Sequence, residues 1–150
     1  QAKWRFHDNG AGWSMGLRPA ITLPTGSHSK GLGNGRATAA VVLISNLEVG
    51  DWVWLVNGGY TFNGNKLGQR RHLWVASTAV LYRLAAQWTL AADVGAMRNV
   101  EDGNPRVAKT GILGLIWHAN DVTDLDIGWR RSVGNGPAAT TLGVGLTVRW

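Results

Sequence analysis

Residues 140–150 read "TTLGVGLTVRW", and this stretch decides the fold. Every second residue is apolar: Leu142, Val144, Leu146, Val148 and Trp150. Between them stand Thr141, Gly143, Gly145, Thr147 and Arg149, which are small or polar with one charge. A period of two places the two sets on opposite faces of a β-strand. The stretch ends on a bare aromatic residue. Two solvents on the two sides of one strand account for the pattern: lipid on the apolar side and a polar lumen on the other.

The rest of the chain repeats the pattern. Runs of alternating residues recur as "GWSMGLRPAITLP", "RATAAVVLISNLEV", "WVWLVNGGYTFN", "HLWVASTAVLYRLA", "QWTLAADVGAMRNV", "VAKTGILGLIWHA", "TDLDIGWRRSVGN" and "AATTLGVGLTVRW", after a shorter "AKWRF". The reading is all-β: an antiparallel transmembrane β-barrel of about eight strands plus an N-terminal strand stub, or part of a larger barrel. Residues 1–150 form one domain, expected to lack upstream strands, because a lone ninth strand departs from the even count of single-chain bacterial barrels. A soluble sandwich or lipocalin-like barrel is the competing architecture. Pro19 should mark a bulge, and the face of Ser77, Thr78 and Arg83 is open.

Composition narrows the class. The 150 residues carry a net charge of +6, no Cys, 21 Gly and nine Trp, and 16% are charged. No window is apolar enough for a spanning helix. The absence of Cys excludes a disulfide scaffold and thiolate metal sites. Arg and Lys are scattered without a recognition motif, so nucleic acid is not an expected partner.

Connections alternate in length. "TGSHSKGLGNG", "GNKLGQRR" and "EDGNPR" are long and polar, whereas "GD", "AA" and "ND" are tight. In an outer-membrane barrel the long loops are outside and the short turns periplasmic. Trp13, Trp52, Trp54, Trp88, Trp117 and Trp150 then gather at the short-turn rim as an aromatic girdle, the interfacial preference of a ring that is apolar with one polar N–H. Trp74, Tyr60 and Phe62 fall near the opposite rim, and Trp129 fits neither. The lumen side collects Arg18, Glu48, Asp93, Asp124, Asp126, Arg130 and Arg149. Pairing among these ions is expected in a narrow lumen, with Asp124 and Arg149 as the preferred pair. Lys30, Arg36, Lys66, Arg70, Arg71, Arg98, Arg106 and Lys109 make the long-loop rim basic, suited to lipopolysaccharide phosphates and anionic solutes.

Catalysis is not expected. Asp124 and Asp126 share a face but lack a third group and a cleft. His7, His28, His72 and His118 are dispersed, so no metal site or cofactor is expected. "GLGNGR" imitates a phosphate loop without a following helix, and reads as a flexible outer loop.

"KWRF", "LRPAITLPTGSHSKGLGNGR", "NGGYTFN", "ADVGAMRN" and "DLDIGWR" together resemble the Gram-negative outer-membrane family labelled MetA-pathway of phenol degradation. The segment from Pro24 to Arg36 is the most specific. The resemblance covers nearly the whole chain, although family members carry further strands ahead of "KWRF". It implies an outer-membrane β-barrel, located in the bacterial outer membrane, that takes up small aromatic solutes; together with the basic rim, which suits anionic solutes, the expectation is a passive transporter and not an enzyme. The alternative is a structural or interaction barrel with a side-chain-packed, non-conducting lumen, or a subunit of a larger assembly or oligomer. Trp150 resembles the C-terminal aromatic signal read by the outer-membrane barrel assembly machinery, where Phe is the usual residue. Membrane lipid, lipopolysaccharide, that machinery and a small-molecule solute are the expected partners.

Overall fold

The computed structural model describes residues 1–134 and 137–150. Nine strands follow in chain order: β1 Trp4–Asp8, β2 Trp13–Thr22, β3 Thr38–Val49, β4 Trp52–Phe62, β5 His72–Ala85, β6 Trp88–Arg98, β7 Val107–Asn120, β8 Thr123–Val133 and β9 Ala139–Val148. Each pairs antiparallel with its chain neighbours, which gives a single sheet in the order β1 to β9. The helical content among the described residues is one 3₁₀ turn, His28–Lys30. None of the helical structure is long and apolar enough to cross a membrane.

The two rims differ as the turn chemistry requires. Residues 9–12, 50–51, 86–87 and 121–122 connect strands at one rim; 23–37, 63–71 and 99–106 connect them at the other, where β8 also ends and β9 begins. The expected reading of the last connection falls partly on residues 135 and 136, outside the described residues. Gly50 sits at φ 58° in the tightest type of turn, where a side chain would be strained. The expected turns "AA" and "ND" lie one residue later, at 86–87 and 121–122. The ladder slips between Arg83 and Ala85 and between His118 and Asn120, so each strand consumes an extra residue before turning.

The long connections are tied to one another. Asn65 is buried; its Nδ2 donates to the carbonyls of Asn63 and Gln69, while its Oδ1 accepts from the backbone of Leu67 and Gln69. Asn34 Nδ2 donates to Asn63 Oδ1, and Lys66 N–H donates to the Asn34 carbonyl. The "GLGNGR" loop is therefore pinned through Asn34, not free as expected. On the other side, Arg70 donates to the carbonyls of Glu101 and Asn104.

Pro19 makes no bulge: its ladder runs unbroken from Arg18–Val42 through Pro19–Val41 to Ala20–Ala40. The reason lies on its other side. The Pro19 carbonyl accepts from Ala2 N–H, so the missing donor points past the start of β1, where no strand bond is lost. The open question in β5 is also settled. Ser77 pairs with Asn57 and Gly95 on one face, and Thr78 with Val56 and Val94 on the other.

Two features set the sheet apart from a domain with a buried apolar core and from a closed barrel. First, no hydrophobic residue is buried among the described residues. The accessible surface is 10259 Å² for 16.1 kDa, against roughly 7,400 Å² for a compact soluble monomer of that mass. Among the described residues the strands make one single-layer sheet, with no second sheet to form a sandwich. Second, the expected closure is not present: β1 and β9 are each paired on one side only, and the sheet keeps two edges. β1 has five residues and covers only the first half of β2, so it cannot serve as a full-length closing strand.

Candidate functional site

Residues directly opposite in a ladder share a face, so the register sorts every strand residue. One face carries rows such as Trp13–Leu47–Trp54–Val80–Ala92–Leu113–Trp129–Leu142. The other carries Ser14–Asn46–Leu55–Ala79–Asp93–Ile112–Arg130–Thr141. Arg18, Glu48, Asp93, Asp124, Asp126 and Arg130 all lie on the second, polar face. Arg36 lies in a connection ahead of β3.

Large side chains on the apolar face stand open: Val144 is 82% exposed and Val94 is 59% exposed. At its short-turn end this face is edged with rings. Trp52 packs against Tyr82 at 4.4 Å between centroids and stacks beside Trp54. Trp88 and Trp117 stack across β6 and β7 at 6.1 Å. Trp13 lies against His7 and donates from its indole N–H to Ser45 Oγ. Trp150 follows β9 with its side chain uncovered. Tyr60, Phe62, His72 and Trp74 gather toward the long-connection end, and Trp129 sits along β8 between the two ends.

The polar face has its most built site at the short-turn rim. Thr89 on β6, His118 on β7 and Asp124 on β8 are cross-strand neighbours, and Arg149 follows β9. His118 Nδ1 lies 2.8 Å from Asp124 Oδ1, and Nε2 lies 2.9 Å from Thr89 Oγ1. Arg149 donates to the other oxygen of Asp124. Asp124 is buried, unusually for a carboxylate on an open sheet. An ionised Asp124 can only accept, so it takes hydrogen bonds from His118 Nδ1–H and from the Arg149 guanidinium. Glu48, Asp51 and Arg83 join it around a hollow of about 530 Å³. The arrangement can fix charge at this rim and orient the polar groups of a small molecule.

The other expected pairs do not form. Arg130 shares a smaller groove with Asp93, but its Nε donates to Ser132 Oγ. Glu48 accepts from Asn46 Nδ2. Among the described residues the ion pairs are Arg5–Asp8, Arg70–Asp102, His118–Asp124 and Arg149–Asp124. Arg18, Arg130, Asp93, Asp126 and Glu48 are outside that set. An open polar face leaves them in water, where an ion needs no partner. The sequence reading missed the participation of His118 and Thr89, because their neighbours lie on other strands. The signal available was that His118 and Asp124 flank a tight turn on one face. No group of residues able to hold a metal ion occurs among the described residues.

These features define a class: a single-layer antiparallel β-meander with one uncovered apolar face, one polar face and rings at its rims. The family model described as "Putative MetA-pathway of phenol degradation" matches residues 1–150, and the chain belongs to that family. No curated protein and no solved structure matches the chain.

Proposed function

We propose that the chain forms the wall of an outer-membrane β-barrel that passes small solutes, aromatic or anionic, by passive diffusion. The observation that carries this reading is the uncovered apolar face, free of charge along most of its height and edged with Trp. Such a face is costly in water and suited to hydrocarbon, with the rings at the headgroup level. An unpaired strand edge cannot remain in hydrocarbon, so in a bilayer both edges of the sheet pair; β1 is too short to cover β9 alone, and strands of another segment or copy complete the pairing. The polar face then lines the lumen, and the Asp124–Arg149–His118 cluster stands at its short-turn mouth. Membership of a family named for phenol degradation fits a solute of that kind, and the protein acts as a conduit, not as a catalyst.

The test is permeation. The full chain, refolded into phosphatidylcholine vesicles, should let small phenols and phenolic anions enter, with stepwise conductance in planar bilayers. Correctly inserted protein that passes neither ions nor solutes would replace this reading with that of a packed, non-conducting barrel.

A further inference from the structure

The apolar face has formal charges in one place only. Of all its strand positions, Arg98 on β6, Lys109 on β7 and Arg131 on β8 are the Asp, Glu, Lys or Arg residues it holds. All three are cationic, lie on adjacent strands and sit toward the long-connection end. Lys109 pairs with Ala96 and Val133, and Arg131 with Gly111 and Thr140, so the two cations are diagonal neighbours, roughly 7–8 Å apart by sheet geometry. All three are exposed. None belongs to an ion pair among the described residues. Beside Arg98 the rim continues into a cleft with Lys66, Arg70 and Arg71, against which Asp102 is the one acid. Below Lys109 and Arg131 runs a groove of about 800 Å³ on the same face, floored by Ala76, Thr78 and Gly111 and walled by Val56, Val94 and Trp129.

Three cations gathered at one end of a face otherwise free of charge are complementary to anionic headgroups at a bilayer surface. Resting on the outer-membrane reading, we infer that this corner binds one phosphorylated, multiply acylated lipid of the surrounding leaflet. Its phosphates meet Arg98, Lys109 and Arg131, and an acyl chain lies in the groove. Charge complementarity selects the occupant, since a zwitterionic lipid offers no net charge to three cations. The groove selects an acylated form over a free phosphate, because its lining is almost wholly apolar below the cations.

The full chain in phosphatidylcholine nanodiscs is titrated with a multiply acylated, bis-phosphorylated glucosamine disaccharide, and occupancy is read by native mass spectrometry. Lys109→Gln/Arg131→Gln should weaken binding at least about tenfold, the loss of two charge-assisted contacts. Gly111→Leu fills the groove from a position where an added Cβ meets nothing closer than 4.0 Å, so the sheet is kept. It should weaken the acylated probe and leave the deacylated headgroup unchanged. Arg130→Gln, on the opposite face, should have no effect. Equal binding by the wild type and the double variant, or by the dephosphorylated probe, overturns the site. Equal binding by the deacylated headgroup makes it an anion site without a lipid. Failure of the chain to enter the nanodisc at all would instead sink the outer-membrane reading, and is scored separately by insertion.

Discussion

Ala92→Arg is expected to destabilise the protein in lipid by about 2–4 kcal/mol, while Ala91→Arg, one residue earlier, changes it little. Both are the same substitution in the middle of β6. Ala92 lies on the apolar face between Val80 and Leu113, at a depth where a lipid-facing guanidinium is most costly. Ala91 lies on the polar face between Leu81 and Gly114, and the missing side chain at Gly114 leaves the new guanidinium room to reach water. Urea unfolding in phosphatidylcholine vesicles gives the comparison. Equal losses for the two variants would mean that the faces do not see different solvents.

Asp124→Asn should change both charge and order at the short-turn mouth. The wild-type carboxylate takes hydrogen bonds from His118 and Arg149 through separate oxygens. An amide replaces one acceptor with a donor and leaves the Arg149 charge unbalanced. In a conducting pore the reversal potential under a salt gradient should move toward the anion. Asp126→Asn should move it the same way, since Asp126 lies on the same polar face, but should leave the melting temperature nearer to wild type because Asp126 is in no ion pair among the described residues. In a packed barrel, Asp124→Asn should lower the melting temperature and leave the membrane silent. An unchanged potential together with an unchanged melting temperature would show that the cluster does neither.

The sequence carried the strands because their signal is local. Alternation through residues 140–148 or 88–94 can be read without knowing any partner. Pro19 departs from the expected bulge because its cost depends on which neighbour its nitrogen faces, and that neighbour is the segment at Ala2, ahead of the start of β1. The one-residue offsets at the 86–87 and 121–122 turns come from bulges, which leave little trace in composition. Thr89 and His118 lie on different strands, so their contact appears only once register is fixed. Asp124 and Arg149 could be brought together beforehand, since both lie by the same rim on the same face. Arg18 and Arg130 could not be judged so, because their need for a partner depends on whether water reaches them. Of the three cations on the apolar face, Arg98 and Lys109 were visible as basic residues near long connections and Arg131 was not; that they share a face follows only from the ladder.

The central claim is that lipid covers one face of this sheet and water the other. The chain has no Cys, so single cysteines can be placed along β6 from Thr89 to Ala96 and spin-labelled in the refolded, membrane-bound protein. Collision with oxygen, which concentrates in lipid, is then compared with collision with a water-soluble nickel chelate. The account predicts a period of two, with oxygen favoured at Leu90, Ala92, Val94 and Ala96 and the chelate at Thr89, Ala91, Asp93 and Gly95. Uniform accessibility along the strand, or maxima on the opposite set, would contradict it.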